Sequence, residues 1–244
     1  MENAVKQDKM KVEIWSDIMC PFCYIGKRKF ETALGKFEGS ERVEVEWHSF
    51  QLDPTMQYQP GKDLYTYLAE MKGQTREWSI NIHNQLTGTA KAVGLEYNFG
   101  KAVIANSFDA HRLIQLAKKH GLGDNVEERL FGAYFTEGVN VSDHLTLLEL
   151  GVEIGLDRRE VAEMLAGDAF SDEVDKDIDE ARQLGVSGVP FFVMNRKYAV
   201  AGAQSQEVFT QVLEKSFGEW SKEHLVAQFE TVEGDVCTAR GDCE

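Results

Sequence analysis

A chain of 244 residues with 43% hydrophobic side chains can bury a core of its own, with no need of metal or disulfide staples for stability. Its 41 acidic against 26 basic residues give a net charge of −15, which argues against nucleic acid as a partner because phosphate binding needs clustered Lys and Arg. The opening MENAVKQDKM has no apolar signal core, and runs such as VPFFVM (189–194) are too short to span a bilayer. A cytoplasmic location without a membrane partner is the expectation.

In chain order, KVEIWS (11–16) alternates, with Val12 and Ile14 on one face, and predicts a strand. After DIMCPFC, apolar residues recur at Ile25, Phe30, Leu34 and Phe37, close to helical spacing, until Gly39 stops the helix. RVEVEW (42–47) alternates again through Val43, Val45 and Trp47. The chain thus opens β-α-β, with Cys20 and Cys23 at the first strand-to-helix junction. QLDPTMQYQPG (51–61) is a connector, and from Asp63 to Gly185 there is no proline.

Helical stripes fill that span: Leu64, Leu68 and Met71; then Ile104, Phe108, His111, Leu113 and Leu116; then Leu145, Leu148, Val152 and Ile154. DRREVAEMLAG (157–167) reads as a capped short helix. All are expected to be core. PFFVM and YAVAG then read as strands around the turn NRK, and SQEVFTQVLEKSF as an amphipathic helix with Val208, Val212 and Leu213 inward. The expected units are 10–53, a helical insertion over 54–185, a β-β-α half over 186–220 and a polar tail over 221–244.

Four cysteines in a cytoplasmic chain of this size point to metal or redox chemistry rather than to a disulfide scaffold. A zinc site usually asks for two close ligand pairs, whereas Cys237 and Cys243 are five residues apart and the six histidines form no i, i+3 or i, i+4 pair. The spacing favours a reactive pair with no metal. A cysteine at a helix N-terminus meets free N–H groups and the positive end of the helix dipole, which favour thiolate. Lys27, Arg28 and Lys29 are expected to add positive charge, and Pro21 suits the first helical turn. Cys20 is then the more exposed nucleophile, and Cys23, one turn in, the resolving thiol.

Far downstream, GVSGVPF (185–191) places Pro190 directly before a strand, where proline interferes with ordinary pairing. A cis Val189–Pro190 bond would leave a backbone edge free for an extended partner; a trans proline at strand entry is the other reading.

CPFC after a strand, a long helical insertion, GVPFF and a closing β-β-α resemble the thioredoxin superfamily in its DsbA-like branch. More narrowly, SDIMCPFCYIGKRKFE, NSFDAHRLIQLA (106–117) and GVSGVPFFVMNRKYAVAGAQ resemble the FrnE-type dithiol–disulfide oxidoreductases, over residues 10 to 218. The resemblance implies an α/β thioredoxin fold interrupted by a large helical insertion, and thiol–disulfide exchange without an organic cofactor. It implies Cys20 and Cys23 as the exchanging pair and Val189 with a cis Pro190 beside it. Partners would be disulfide- or thiol-containing proteins, with glutathione or a thioredoxin-type protein as reductant.

Glutathione-linked 2-hydroxychromene-2-carboxylate isomerases and kappa-class transferases share NSFDAHRL-like and GVPFF-like segments, but typically carry serine where Cys20 stands. A third reading is a chaperone-like module that binds extended clients. With Pro21 and Phe22 between the cysteines and no histidine there, reduction or reshuffling is favoured over strong oxidation. Met19, Phe22 and Phe191 are expected to form an apolar rim, and for His111 and Arg112 helix packing or a surface position is favoured over facing the active-site groove. Cys237 and Cys243 are either an auxiliary redox pair, a tail disulfide or two idle exposed thiols; an extended chain from Trp220 to Cys237 would reach roughly 50 Å.

Overall fold

The computed structural model describes residues 8–224. Strand β1 (Met10–Ser16) feeds helix α1 (Pro21–Leu34), which returns the chain to β2 (Val43–Ser49), parallel to β1. The helix ends at Leu34 on Gly35, one turn before the expected stop at Gly39. The second half supplies β3 (Phe191–Met194), β4 (Tyr198–Ala201) and a long closing helix, Gln206–His224. Strand β3 runs antiparallel to β1 and pairs with β4, so the sheet order is β2-β1-β3-β4. This is the α/β thioredoxin arrangement.

Alternation in β1 dictates its two faces. Val12 and Ile14, with Phe192 and Val200, pack on Phe30 of α1 and on Phe209 and Leu213 of the closing helix. Phe209 meets both Phe30 and Phe192 edge-on. In the closing helix the buried face is Phe209, Leu213, Ser216 and Trp220; Val208 and Val212, expected inward, are only half-buried beside it. The β3–β4 turn places Asn195 and Arg196 at φ 51° each, the left-handed conformation a tight hairpin demands. Arg196 is held there by its ion pairs to Glu13 and Glu180.

Between the halves lie seven helices: α2 (Leu64–Lys72), α3 (Arg76–Lys91), α4 (Phe108–Lys119), α5 (Gly123–Phe131), α6 (His144–Glu153), α7 (Arg158–Ala166) and α8 (Ser171–Gln183). Asp63, Thr75, Asp143 and Asp157 cap four of them by accepting first-turn amide hydrogens. The closing helix is therefore α9. A π-helical turn, Gly132–Glu137, extends α5.

Two of the expected apolar stripes are core only in part. On α6, Leu147 and Leu150 are the buried positions, Leu148 and, just beyond the helix, Ile154 pack half-buried against the core, and Leu145 is exposed. On α2, Leu64 packs half-buried against the main core, while Leu68 is half-buried and Met71 exposed along the wall of a cavity. The main core instead joins α1 to α4, α5 and α6 through Ile25, Leu113, Ile114, Phe131 and Leu147, so active-site helix and insertion share one interior.

Candidate active site

Cys20 is the N-cap of α1 in extended conformation (φ −89°, ψ 112°), with Pro21 opening the helix. Its amide donates to the Asp17 carbonyl at 2.9 Å, and its carbonyl accepts from the Cys23 amide at 3.0 Å. Both sulfurs thus sit on one turn. The Val189–Pro190 peptide is cis, and the Cys20 S–H donates to the Val189 carbonyl at 3.4 Å. Among the described residues the Val189 amide has no hydrogen-bond partner.

Gly26 allows this approach: a Cβ there would lie 2.9 Å from Pro190 Cγ. The sequence carried one sign of it, a glycine inside a helix where it costs stability unless packing requires it. Tyr97, from the insertion, donates its hydroxyl to the Pro21 carbonyl at 2.7 Å and stacks on Tyr24 and Phe135. No motif signalled Tyr97, because its partner is a backbone atom.

Several expectations need correction. Cys20 is the more exposed of the two thiols, as expected, but both are buried, at 4% against 1% for Cys23, since the Pro190 loop and the insertion cover the turn. Burial and the adjacent Cys20 push the Cys23 thiol well above its ordinary value. Lys27 and Arg28 do not serve the thiols. Lys27 is buried against Glu31, Asp124 and Glu128, Arg28 pairs with Glu31 and Glu128, and Lys29 donates to the Ala203 carbonyl.

The apolar rim is partial. Phe22 is 47% exposed and Met19 borders the cavity, but Phe191 packs toward Trp15 and Val193 on the other side. The cavity, about 430 Å³, opens beside the turn between Met19, Pro21, Leu52, Leu68, Met71 and Phe135.

Arg112 is structural: its guanidinium donates to the carbonyls of Met164, Gly167 and Ala169 and pairs with Asp109, closing α7 onto α4. His111 is different. It is fully buried, with Nε2 3.5 Å from Oδ1 of Asp17.

On the sheet face beneath α4 and α8, donors of Glu13, Glu46 and His48 lie within 4.8 Å of one another. Arg196 already engages Glu13, while Lys11 and Lys118 engage Glu46. His48 Nδ1 donates to Asp177 at 2.7 Å. Burial works against charging His48, but the hydrogen bond to Asp177 and the Glu13 carboxylate 3.5 Å from Nε2 prevail and raise its pKa to about 9. The charged imidazole faces the carboxylates of Glu13 and Asp177. Among the described residues, no helix is long and apolar enough to cross a membrane.

Residues 11–214 match the family described as the DSBA-like thioredoxin domain, and the chain belongs to that family of thiol–disulfide oxidoreductases. It is similar to a probable DsbA oxidoreductase from Streptomyces coelicolor, whose crystal structure superposes with a TM-score of 0.82 at 40% identity, covering 96% of this chain and 98% of that one. The uncharacterized protein YwbO of Bacillus subtilis is 28% identical over 206 residues, 83% of this chain and 94% of that protein. The cytosolic disulfide reductase DsbM from Pseudomonas aeruginosa, solved with GSH, shares the fold at a TM-score of 0.59 and 19% identity, over 88% of this chain and all of that one.

Proposed function

We propose that this chain is a FrnE-type protein dithiol–disulfide oxidoreductase of the cytoplasm. The observation that carries the reading is the Cys20 sulfur at the N-terminus of α1, against the Val189 carbonyl, with Cys23 buried one turn behind. Cys20 attacks a substrate disulfide and forms a mixed disulfide; Cys23 then displaces the substrate thiol and closes the Cys20–Cys23 bond. Val189 and Pro190 border the reacting sulfur, and the Val189 amide, unpaired among the described residues, can take an extended substrate strand, as edge recognition does elsewhere. The apolar cavity beside Met19 and Pro21 suits a bulky side chain flanking the substrate half-cystine.

The reaction asks for no organic cofactor. Oxidised enzyme would be recycled by glutathione or a thioredoxin-type protein. Against a cytosolic glutathione poise of roughly −220 to −320 mV, a pair of moderate potential stands mostly reduced and works as reductase or isomerase. Cys237 and Cys243 lie outside the described residues; an auxiliary role for them is part of the proposal.

The test is titration of the pure protein in glutathione buffers, quenched by alkylation, with free thiols counted by mass for each pair. Reversible titration of Cys20–Cys23 near the glutathione range supports the reading. A pair that never changes state, or one that releases zinc on alkylation, refutes it. Small-molecule turnover that needs glutathione and survives Cys23→Ala would transfer the function to the isomerase or transferase class.

A further inference from the structure

The cavity beside the active-site turn has more than apolar walls. Leu52 and Met71 form its exposed side, and Phe99 and Phe135 its buried side. Its volume, about 430 Å³, lies in the range of roughly 300–1,000 Å³ that takes whole small molecules. Two buried polar side chains also line it, Tyr134 at 2% exposure and His83 at 4%.

The protein leaves a hydrogen-bonding atom of each unmatched. Tyr134 lies with Phe135 in the π-helical turn Gly132–Glu137, a kind of turn that recurs at functional sites. Its hydroxyl makes no hydrogen bond among the described residues, and burial pushes its pKa up, so it stays protonated and is a free donor. His83 donates its Nδ1 hydrogen to the Ser79 carbonyl at 2.7 Å, which leaves Nε2 as an acceptor without a partner among the described residues. Burial lowers the pKa of His83, so the ring is neutral near neutral pH. Buried groups in this condition carry a desolvation cost that a bound partner relieves.

The charges around the cavity narrow the ligand. Asp17 and Asp53 both line it. Asp17 accepts the amides of Met19 at 3.2 Å and Leu52 at 2.8 Å, and Asp53 accepts the hydroxyls of Thr55 at 2.7 Å and Tyr67 at 3.2 Å. Two carboxylates against the exposed Lys72 oppose an anion in a poorly solvated space. A cation would meet carboxylates whose hydrogen bonds are already made. A neutral molecule meets neither obstacle.

We propose that this cavity binds a neutral ring compound carrying a phenolic hydroxyl, its rings against Met19, Leu68 and Phe135 and its oxygen toward Tyr134 and His83. A phenol has one donor hydrogen and an acceptor oxygen, the complement of these two groups. A carbonyl or ether oxygen serves only Tyr134, and a hydrocarbon serves neither. The inference goes beyond the exchange reading and does not depend on it, since no bond is made or broken. An occupant against Met19 and Pro21 also fills the place assigned above to a substrate side chain.

The test is calorimetric titration of the full, reduced chain at neutral pH with para-phenylphenol, biphenyl and para-phenylbenzoate. The phenol is expected to bind about fivefold more tightly than biphenyl, the scale of one net hydrogen bond, and at least tenfold more tightly than the carboxylate. Tyr134→Phe should shrink the advantage of the phenol over biphenyl. A phenol that does not bind, or binds the parent no better than biphenyl or the carboxylate, overturns the inference, and so does an advantage unchanged in Tyr134→Phe. If Tyr134→Phe does not fold, nuclear Overhauser contacts in the parent decide: contacts from the phenol to the methyl groups of Met19, Met56 and Met71 support the site, and binding without them defeats it. Disulfide exchange is scored on the same preparation. A chain that binds the phenol but exchanges nothing keeps this inference and loses the exchange reading, and a chain that exchanges without binding does the reverse.

Discussion

The carbonyl oxygen of Val189 accepts the S–H of Cys20 at 3.4 Å, across 169 residues of chain. The contact joins the first turn of α1 to the loop before β3, with β2 and seven helices between them in the chain.

Division of labour between the thiols gives the first prediction. Cys20→Ser should abolish exchange while leaving the circular dichroism spectrum unchanged. Cys23→Ser should accumulate a Cys20–substrate mixed disulfide, visible as added mass after acid quench. Adducts carried instead by position 23 in a Cys20→Ser chain would reverse the assignment.

Gly26 sets the distance between α1 and the Pro190 loop. In Gly26→Ala the new methyl would sit 2.9 Å from Pro190 Cγ, a contact that must open by moving helix or loop. Overpacking of this kind costs about 1–3 kcal/mol. Urea denaturation should register that loss, and the exchange rate should fall with it. A variant as stable and active as the parent would show that the loop yields freely.

His48 makes stability depend on pH. Its pKa is raised from 6.5 to about 9 in the fold, so its contribution is fully present below 6.5 and is lost as pH rises through 9. The contribution at stake is on the order of 3 kcal/mol. Glu127 acts in the same direction over a lower window: its carboxyl is raised from 4.5 to about 8, so folding becomes less favourable as pH rises between those values. Calorimetry should show a melting temperature that declines between pH 6.5 and 9, and His48→Gln should flatten that decline. An equally steep decline in His48→Gln would assign it to other groups.

The cavity beside the active-site turn invites a selectivity measurement. Leu68→Glu and Met71→Glu place charge on its wall at half-buried and exposed positions, where the fold should tolerate it. Reduction of a peptide disulfide flanked by phenylalanine should lose about tenfold or more in kcat/KM, corresponding to roughly 1.4 kcal/mol. Reduction of oxidised glutathione should change little. Equal losses for both would remove the cavity from substrate recognition.

What the sequence could reveal followed the reach of its signals. The β-α-β start, the cysteines at its junction and the Pro190 segment were readable because each is a local pattern with a physical cause: alternation, helix capping, or proline before a strand. The helical character of the insertion was legible too, and α2, α4, α6 and α7 individually, but α3, α5 and α8 were not picked out by a stripe. Nor was the buried face legible, as Leu145 and Met71 show, because that depends on what lies opposite. Lys27 and Arg28 misled for a related reason. Their neighbourhood in the chain is the thiol pair, but their neighbourhood in space is the acidic edge of α5. Tyr97, Gly26 and the His111–Asp17 pair act through contacts that no window of sequence contains.

The hydroxyl of Tyr97 on the Pro21 carbonyl bears on how such a protein could be trimmed or recombined. The helical segment is spliced into a self-standing topology, which invites the idea of excising it to leave a minimal redox scaffold. Excision would take away Tyr97 and its aromatic stack and His111 beside Asp17, and would open the buried side of the cysteine turn to water. Host and guest are thus one inheritable unit. Chimeras that swap the insertion should keep their chemistry only when the residues meeting Pro21 and Asp17 travel with it.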